Sequence, residues 1–241
     1  MSLMRLDRAL AELGVASRSE LRRIIRSGRV SVDGRAVTEP ETRIDPSACV
    51  LCLDGAPLCY RRFRTFMMDK PAGVLSVTED RRQATVLELL PLELKRLGLF
   101  PVGRLDKDTS GLLLLTNDGE LAHRVISPKS GIRKRYRAEV EGVPDEADAR
   151  AFEAGLLLAD GTRCLPARLE ITGGSVCYVT VMEGKYHQVK RMLAARGKPV
   201  TALRRLSVGA LEVDESLGSG GIRELFEADL CKVLKDSSFG K

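Results

Sequence analysis

A run of four leucines at residues 112–115 constrains the fold of this chain most strongly. The run follows a loop rich in opposed charges, and it is bounded by Gly111 on one side and by a turn at 117–119 on the other. A short apolar run between turn residues is typical of a strand that is buried on both faces. The sequence therefore predicts a sheet that carries this strand in its interior.

The remaining segments mix strands with helices. Alternating apolar residues predict strands at 134–141 and 175–182. Helical spacing and end signals predict helices at 145–154 and 187–196, and a short helix is expected at 85–94. Because helices lie between the strands and hairpin turns are frequent, we predict an α+β fold whose sheet is mixed and largely antiparallel.

The first sixty residues are predicted to form a small α/β unit. Ser17 and Glu20 have the spacing of a capping box at the start of a helix, and Gly28 is placed to end that helix. Asp33 and Gly34 follow as a strong hairpin signal. At 100° per residue one face of the helix collects four arginines. They are Arg18, Arg22, Arg26 and Arg29.

The positive charge is concentrated in the same part of the chain. Residues 1–64 contain 12 arginines, no lysine and 8 acidic residues, so they hold most of the net charge of +6. Arginine suits bidentate phosphate contacts, and a basic domain is typical of nucleic-acid binding. An arginine stripe alone also fits a solvated helix face, but its continuation into a basic hairpin favours nucleic-acid binding.

Other classes of protein are disfavoured. Cys49 and Cys52 have a metal-like spacing, but a strand would direct them to opposite faces, and no second ligand pair follows at finger spacing. We therefore predict no metal site. The chain has no apolar run long enough for a membrane span and no apolar signal segment, which predicts a soluble, cytoplasmic protein.

Three clusters carry candidate chemistry. The charged loop at 104–108 precedes the leucine run, and a carboxylate in this loop can serve as a nucleophile if a cation keeps it ionised. Tyr136 lies among basic residues and can stack on a nucleobase. Helical spacing brings His187, Lys190 and Arg191 near one another. Taken singly, each cluster has a structural alternative: a salt-bridged loop, a core tyrosine and an exposed basic helix.

Together these segments resemble a known family. The stretches GRLDKDTSGLLLLTNDG, KRYRAEVEG and EGKYHQVKRML, in this order and spacing, are similar to the pseudouridine synthases, in particular to the RsuA family that modifies ribosomal RNA. DKPAG at 69–73 matches the Lys-Pro-x-Gly stretch of that family. The N-terminal segment resembles the small RNA-binding domain named after ribosomal protein S-four.

The resemblance implies a role for each matching residue. Asp106 would be the catalytic nucleophile, and Lys190 would be the basic residue that pairs with it. Tyr136 would stack on the flipped uracil and act as a base. Arg104 would help to displace the target base, and Leu193 would line the pocket. The implied reaction exchanges neither atoms nor electrons with another molecule, so no cofactor is expected.

The sequence thus predicts an RNA-binding domain at 1–60 and a catalytic domain at 61–241. The expected substrate is a uridine of 16S ribosomal RNA in a pre-ribosomal particle, because the segments at 123–136 and 160–171 look closer to the small-subunit enzymes. A monomer is expected. The alternatives are the same reaction on 23S ribosomal RNA and, from other classes, a non-catalytic RNA-binding assembly factor or a protein-interaction module.

Overall fold

The structure is a computed structural model that describes residues 3–235. The chain divides into two compact units. The first unit runs to Arg64 and includes the later segment Leu90–Leu99, and the second contains Thr65–Leu89 and the chain from Phe100 onward. The expected domain boundary at residue 60 did not anticipate the segment that returns to the first unit, because this return is created by tertiary contacts.

The first unit contains three helices, α1 (Leu6–Glu12), α2 (Arg18–Arg26) and α3 (Leu92–Lys95). The capping box predicted for α2 is present. The Ser17 hydroxyl accepts a hydrogen bond from the Glu20 amide, and the Glu20 carboxylate accepts one from the Ser17 amide. The helix ends at Arg26 with Ser27 as its C-cap, and Gly28, with φ of +74°, turns the chain away from the helix axis.

The placement of Arg29 on the arginine face of α2 is wrong, because the helix ends before it. Arg29 instead forms a bidentate ion pair with Asp54 at 2.8 and 2.5 Å. Arg18, Arg22 and Arg26 lie on the helix and are exposed, as predicted. Three of the four predicted arginines therefore lie on α2, and the fourth, Arg29, follows the helix and pairs with Asp54 of a hairpin turn.

Two sheets complete the first unit. Their strands are β1 (Met4–Arg5), β2 (Val30–Val32), β3 (Arg35–Ala36), β4 (Arg43–Ile44), β5 (Leu51–Leu53) and β6 (Ala56–Leu58). Strands β1 and β4 pair alone, and the other four have the order β3-β2-β5-β6. The predicted hairpin at Asp33 and Gly34 joins β2 to β3, and both residues have positive φ. Apolar side chains of α1 and α2 pack on these strands in one core cluster.

The helix expected at 85–94 is not formed as predicted. Only Leu92–Lys95 is helical, and Pro91 precedes it as the N-cap. Upstream, Thr85 forms an isolated bridge with Leu75, and its amide donates to the Glu88 carboxylate. A proline inside a helix would remove a backbone donor, so the helix begins only after Pro91.

The second unit is built on a nine-stranded sheet. Its strands are β7 (Thr65–Lys70), β8 (Phe100–Pro101), β9 (Thr109–Thr116), β10 (Lys134–Val140), β11 (Arg168–Ile171), β12 (Val176–Val181), β13 (Val200–Val208), β14 (Leu211–Glu212) and β15 (Ile222–Leu225). Its helices are α4 (Gly119–Ile126), α5 (Glu146–Ala154), α6 (Gln188–Ala194) and α7 (Glu227–Leu234).

The main strand order is β11-β12-β10-β13-β9-β7-β15, with β14 beside β13 and β8 beside β9. All pairs are antiparallel except β13 with β9, which is parallel. This arrangement confirms the mixed, largely antiparallel α+β fold. The four leucines lie on β9, and none is more than 1% exposed, which confirms the buried strand.

Strands β9 and β13 approach each other closely at Gly111. This glycine has φ of +100°, and a Cβ added there would lie 2.2 Å from the carbonyl oxygen of Arg205. On β13, the neighbouring Leu203 lies opposite both Ala138 of β10 and Thr109 of β9. Helix α6 packs on this part of the sheet through Val189, Met192 and Leu193. The start of β9 and the helix α6 are thereby brought to the same region.

No helix between residues 3 and 235 combines the length and the apolar character that a membrane crossing requires.

Candidate active site

The loop before β9 places Asp106 beside two residues of the α6 segment. Lys190 Nζ lies 3.7 Å from Asp106 Oδ2, and His187 Nε2 lies 3.5 Å from Asp106 Oδ1. The Asp106 side chain is one quarter exposed, so it is open to solvent but held at the edge of the core. The carboxylate predicted to be a nucleophile thus lies next to the cation predicted to accompany it.

Lys190 is shared between two carboxylates. Its closest acceptor is Asp108, which contacts the ammonium directly, while Asp106 lies farther away. The hydrogen bond from Lys190 lowers the pKa of the Asp108 carboxyl below its usual value. The sequence interpretation paired Lys190 with Asp106 alone, and the structure adds Asp108 as the nearer partner. The positive charge of Lys190 offsets the repulsion between the two neighbouring carboxylates.

A buried lysine lies beneath this loop and holds its backbone. Lys70, at the end of β7, has no exposed surface, and its ammonium donates hydrogen bonds to four carbonyl oxygens. The acceptors are Pro71 at 2.9 Å, Asp106 at 3.2 Å, Lys107 at 3.4 Å and Thr109 at 2.9 Å. Burial lowers the pKa of Lys70 to about 8, and the nearby charges of Asp108 and Asp106 act in the opposite direction.

Two further contacts tie the same loop to the segment after β7. The Ser76 hydroxyl donates to the carbonyl of Leu105 at 3.0 Å and accepts from the Leu105 amide at 3.2 Å. The Gly73 amide donates to the Lys107 carbonyl at 2.7 Å. With Lys70, these bonds hold the backbone on both sides of Asp106. The segment at 69–73 therefore holds the backbone of the loop that carries the candidate nucleophile.

The loop before α6 is held by a buried carboxylate. Glu183 is 6% exposed, and its Oε1 accepts hydrogen bonds from the Leu165 amide and from Gln188 Nε2, both at 2.9 Å. Its Oε2 forms an ion pair with Lys185 at 2.6 Å. His187 then adopts a left-handed conformation, with φ of +48°, at the N-cap of α6. These contacts fix the loop that leads into α6, on which His187 and Lys190 lie beside Asp106.

Tyr136 and Leu193 both belong to the apolar cluster between α6 and the sheet. Tyr136 lies on β10 between Val179 and Arg205, is half-buried, and packs against the apolar cluster beneath α6. Leu193 is fully buried in that same cluster. Arg104 begins the Asp106 loop and is exposed. Arg18, Arg22, Arg26 and Arg29 belong to the first unit.

The sequence interpretation assigned no role in the site to two residues near the loop, Lys70 and His187. Lys70 carried a signal, since a lysine followed by proline ends an apolar strand, but its four backbone contacts depend on the fold. His187 was noted only for its nearness to Lys190 on a helix. Its contact with Asp106 arises because a residue outside the helix takes a left-handed conformation. Within residues 3–235 no group of three or more His, Cys, Asp or Glu is placed to hold a metal ion.

The fold and this site define the class of protein. The family model described as RNA pseudouridylate synthase matches residues 64–195, and the S4 domain model matches residues 4–48. The chain belongs to the RNA pseudouridine synthase family, whose members are isomerases that convert uridine in RNA to pseudouridine.

Individual relatives agree with this assignment. An uncharacterised RNA pseudouridine synthase of Bacillus subtilis is 45% identical, over 94% of this chain and 97% of the relative. The ribosomal small subunit pseudouridine synthase A of Vibrio cholerae is 38% identical, over 96% of this chain and all of the relative. A solved pseudouridylate synthase has a TM-score of 0.66 and 34% identity, covering 95% of this chain and 99% of that chain.

Proposed function

We propose that this chain isomerises a uridine of 16S ribosomal RNA to pseudouridine, with Asp106 as the nucleophile. The observation that carries the chemical part is the Asp106 carboxylate, held beside Lys190 and His187 on a loop whose backbone is bound from below by Lys70. The RNA target is supported by relatives named as ribosomal small subunit pseudouridine synthase A from Vibrio cholerae and Salmonella typhimurium.

The reaction breaks the bond between N1 of uracil and C1′ of ribose, rotates the base, and joins C5 to C1′. Asp106 attacks C1′ or removes a neighbouring proton, and Lys190 is the basic residue that pairs with it. Tyr136 holds the uracil ring and acts as a base, and Leu193 supplies an apolar wall. Arg104 helps to displace the target base from its stack, a step that costs a few kcal/mol. No cofactor is needed, because neither atoms nor electrons enter or leave.

We assign RNA binding to the N-terminal domain at 1–60 and catalysis to the domain at 61–241. Contacts between RNA phosphates and the N-terminal arginines would offset the cost of unstacking the target base. In this proposal the enzyme works as a cytoplasmic monomer on a pre-ribosomal particle.

The proposal is tested by mapping pseudouridines in ribosomal RNA from a strain that lacks the gene. The expected result is the loss of one pseudouridine in 16S RNA, which returns when the wild-type gene is supplied and stays absent with an Asp106→Asn gene. Loss of a site in 23S RNA instead would replace the proposed target. An unchanged pseudouridine map together with an assembly defect would favour a non-catalytic factor.

Removing the charge of Lys190 is expected to slow the reaction without weakening RNA binding. Lys190→Met keeps the apolar stem but leaves the Asp106 and Asp108 carboxylates without their shared cation, so their mutual repulsion is no longer offset and Asp106 loses the group that holds it in place. We expect the single-turnover rate to fall more than about tenfold. Single-turnover rates at saturating RNA, with RNA affinity measured in parallel, check this.

Lys107→Met is the matched control for Lys190→Met. Lys107 is an exposed lysine in the same loop, and only its backbone takes part in the contacts described. Its substitution should leave the rate close to that of the wild type. If Lys190→Met instead lowers RNA affinity in a salt-dependent way with an unchanged rate, Lys190 is a phosphate contact.

The arginines of the first unit are expected to contribute unequally to RNA binding. Arg22 lies 3.6 Å from Asp7, and Arg29 is paired with Asp54. Within residues 3–235, Arg18 and Arg26 form no ion pair within 4.0 Å, so their guanidinium groups are the more available ones for phosphates. Alongside the hydrogen bond from Arg5, the charge of Arg18 nevertheless helps to lower the pKa of Asp7. The double substitution Arg18→Gln with Arg26→Gln should flatten the dependence of log K on log salt by about one to two. Arg22→Gln with Arg29→Gln should flatten it less, and an equal effect of both pairs would contradict this ranking.

A further inference from the structure

An exposed aromatic pair lies beside Asp106 and is not used by the mechanism above. The rings of Tyr186 and His187 are stacked, with centroids 3.9 Å apart and planes inclined by 16°. Tyr186 is 76% exposed, more than any other large apolar or aromatic side chain in residues 3–235. A ring this exposed contributes little to the core, and its face is accessible to a ligand.

The position of the pair connects it to the reacting centre. His187 Nε2 lies 3.5 Å from Asp106 Oδ1, so the inner ring of the stack borders the nucleophile and the outer ring, that of Tyr186, faces solvent. A flat group placed on the Tyr186 ring would therefore lie close to the nucleotide whose C1′ is next to Asp106.

The backbone that carries the pair is held independently of the rings. The Tyr186 carbonyl accepts a hydrogen bond from Arg191 Nη1 at 3.3 Å, and Arg191 is itself paired with Asp160. The buried Glu183 network anchors the preceding residues. His187 has φ of +48°, a conformation that side-chain-bearing residues rarely adopt. Among the described residues the Tyr186 side chain has no hydrogen-bond partner. The backbone of residues 186 and 187 is therefore fixed by contacts that do not involve the tyrosine side chain.

We propose that the Tyr186–His187 pair is a stacking platform for the nucleobase adjacent to the target uridine in the RNA strand. This inference rests on the proposed function, since it concerns the same site. When the target uracil leaves its stack, the neighbouring base loses a stacking partner. An aromatic ring at the site replaces that partner, and because every base has a flat face, the platform holds the strand without reading its sequence.

The test uses a synthetic RNA stem-loop that contains the uridine modified by the wild-type chain. The full chain is compared with Tyr186→Ala, which removes the ring, and Tyr186→Phe, which keeps it. Tyr186→Ala should weaken RNA binding about tenfold, whereas Tyr186→Phe should bind like the wild type. Phe226→Ala is the matched control, since Phe226 is another exposed aromatic of the second unit, and it should not change the affinity.

A second arm identifies the stacked base. Stem-loops with an abasic nucleotide on the 5′ or the 3′ side of the uridine are bound to each variant. The wild type should bind one of these abasic RNAs more weakly, by about the factor that Tyr186→Ala loses on the intact RNA. Tyr186→Ala should then bind that abasic RNA no more weakly than the wild type does, because the same contact is removed in both cases. With 2-aminopurine at that position, the wild type should quench its fluorescence and Tyr186→Ala should not.

The outcomes separate this inference from the proposed function. Pseudouridine formation by the wild type reports on the function, whereas the affinity ratios report on the platform. The platform is overturned if Tyr186→Ala binds the RNA as tightly as the wild type does, or if Tyr186→Phe loses as much RNA affinity as Tyr186→Ala. It is also overturned if the affinity loss of Tyr186→Ala adds to the loss caused by each of the two abasic RNAs. In the additive case the ring would contact another part of the RNA rather than a flanking base. Thermal unfolding of each variant shows whether the exposed substitution leaves the fold intact.

Discussion

Asp106→Asn is expected to abolish pseudouridine formation and to leave RNA binding intact. The amide preserves the size of the side chain and its place beside Lys190 and His187, but it removes the negative charge that attacks C1′. Affinity for RNA should stay the same or rise, because a carboxylate no longer repels the phosphates. Single-turnover assays on 16S RNA, with affinity measured in parallel, check both halves of this expectation.

Asp108→Asn is the matched control for this loss of charge. Asp108 lies two residues away and shares the ammonium of Lys190, but it is three quarters exposed. Its amide should retain most of the activity, since Lys190 remains free to pair with Asp106. If Asp106→Asn keeps activity within tenfold of the wild type, or if Asp108→Asn is the inactive variant, the assignment of the nucleophile is wrong.

Lys70→Met is expected to cause a large but smaller loss of rate, although Lys70 touches no reacting group. Four carbonyl oxygens around the Asp106 loop would lose their donor, and buried carbonyls without partners make the loop relax. A displacement of about 1 Å at a nucleophile costs roughly a hundredfold in rate. We therefore expect a rate loss of about that size at saturating RNA, with a lowered melting temperature.

The pKa of Lys70 gives this role a pH signature. In the folded protein the pKa lies at about 8, below its usual value of 10.5, so the ammonium is present below pH 8 and is lost as the pH rises through it. The wild-type rate should therefore fall above about pH 8, and this decline should be absent in Lys70→Met. The free energy of unfolding changes with pH in the opposite direction to the rate. A depressed lysine pKa lowers the free energy of unfolding below pH 8, and this cost disappears as the pH rises from 8 to 10.5.

Lys134 separates the effect of burial from the effect on the loop. Burial also lowers its pKa to about 8, and its ammonium has no hydrogen-bond partner within the described part of the chain. Lys134→Met should raise the melting temperature, because it removes a buried charge that nothing compensates. Its effect on the rate should be smaller than that of Lys70→Met. A wild-type rate for Lys70→Met would refute the supporting role of Lys70.

The sequence by itself determined the features that depend on local physical chemistry. The leucines of β9 are buried because an apolar run between turn residues can be stable only inside a sheet. Helix α2 begins at its capping box, and the Asp33–Gly34 turn forms because both residues tolerate positive φ. The order of the charged motifs was enough to indicate the family, and it nominated Asp106 and Lys190, which the structure places 3.7 Å apart.

Only the tertiary structure decided which distant groups meet. The parallel pairing of β13 with β9, the return of Leu90–Leu99 to the first unit and the Arg29–Asp54 pair all join segments far apart in the chain. The four carbonyl acceptors of Lys70 and the contact of His187 with Asp106 are of the same kind. Such contacts have no periodicity and no fixed spacing along the sequence, because they depend on how separate elements pack and on which buried polar groups must then find partners.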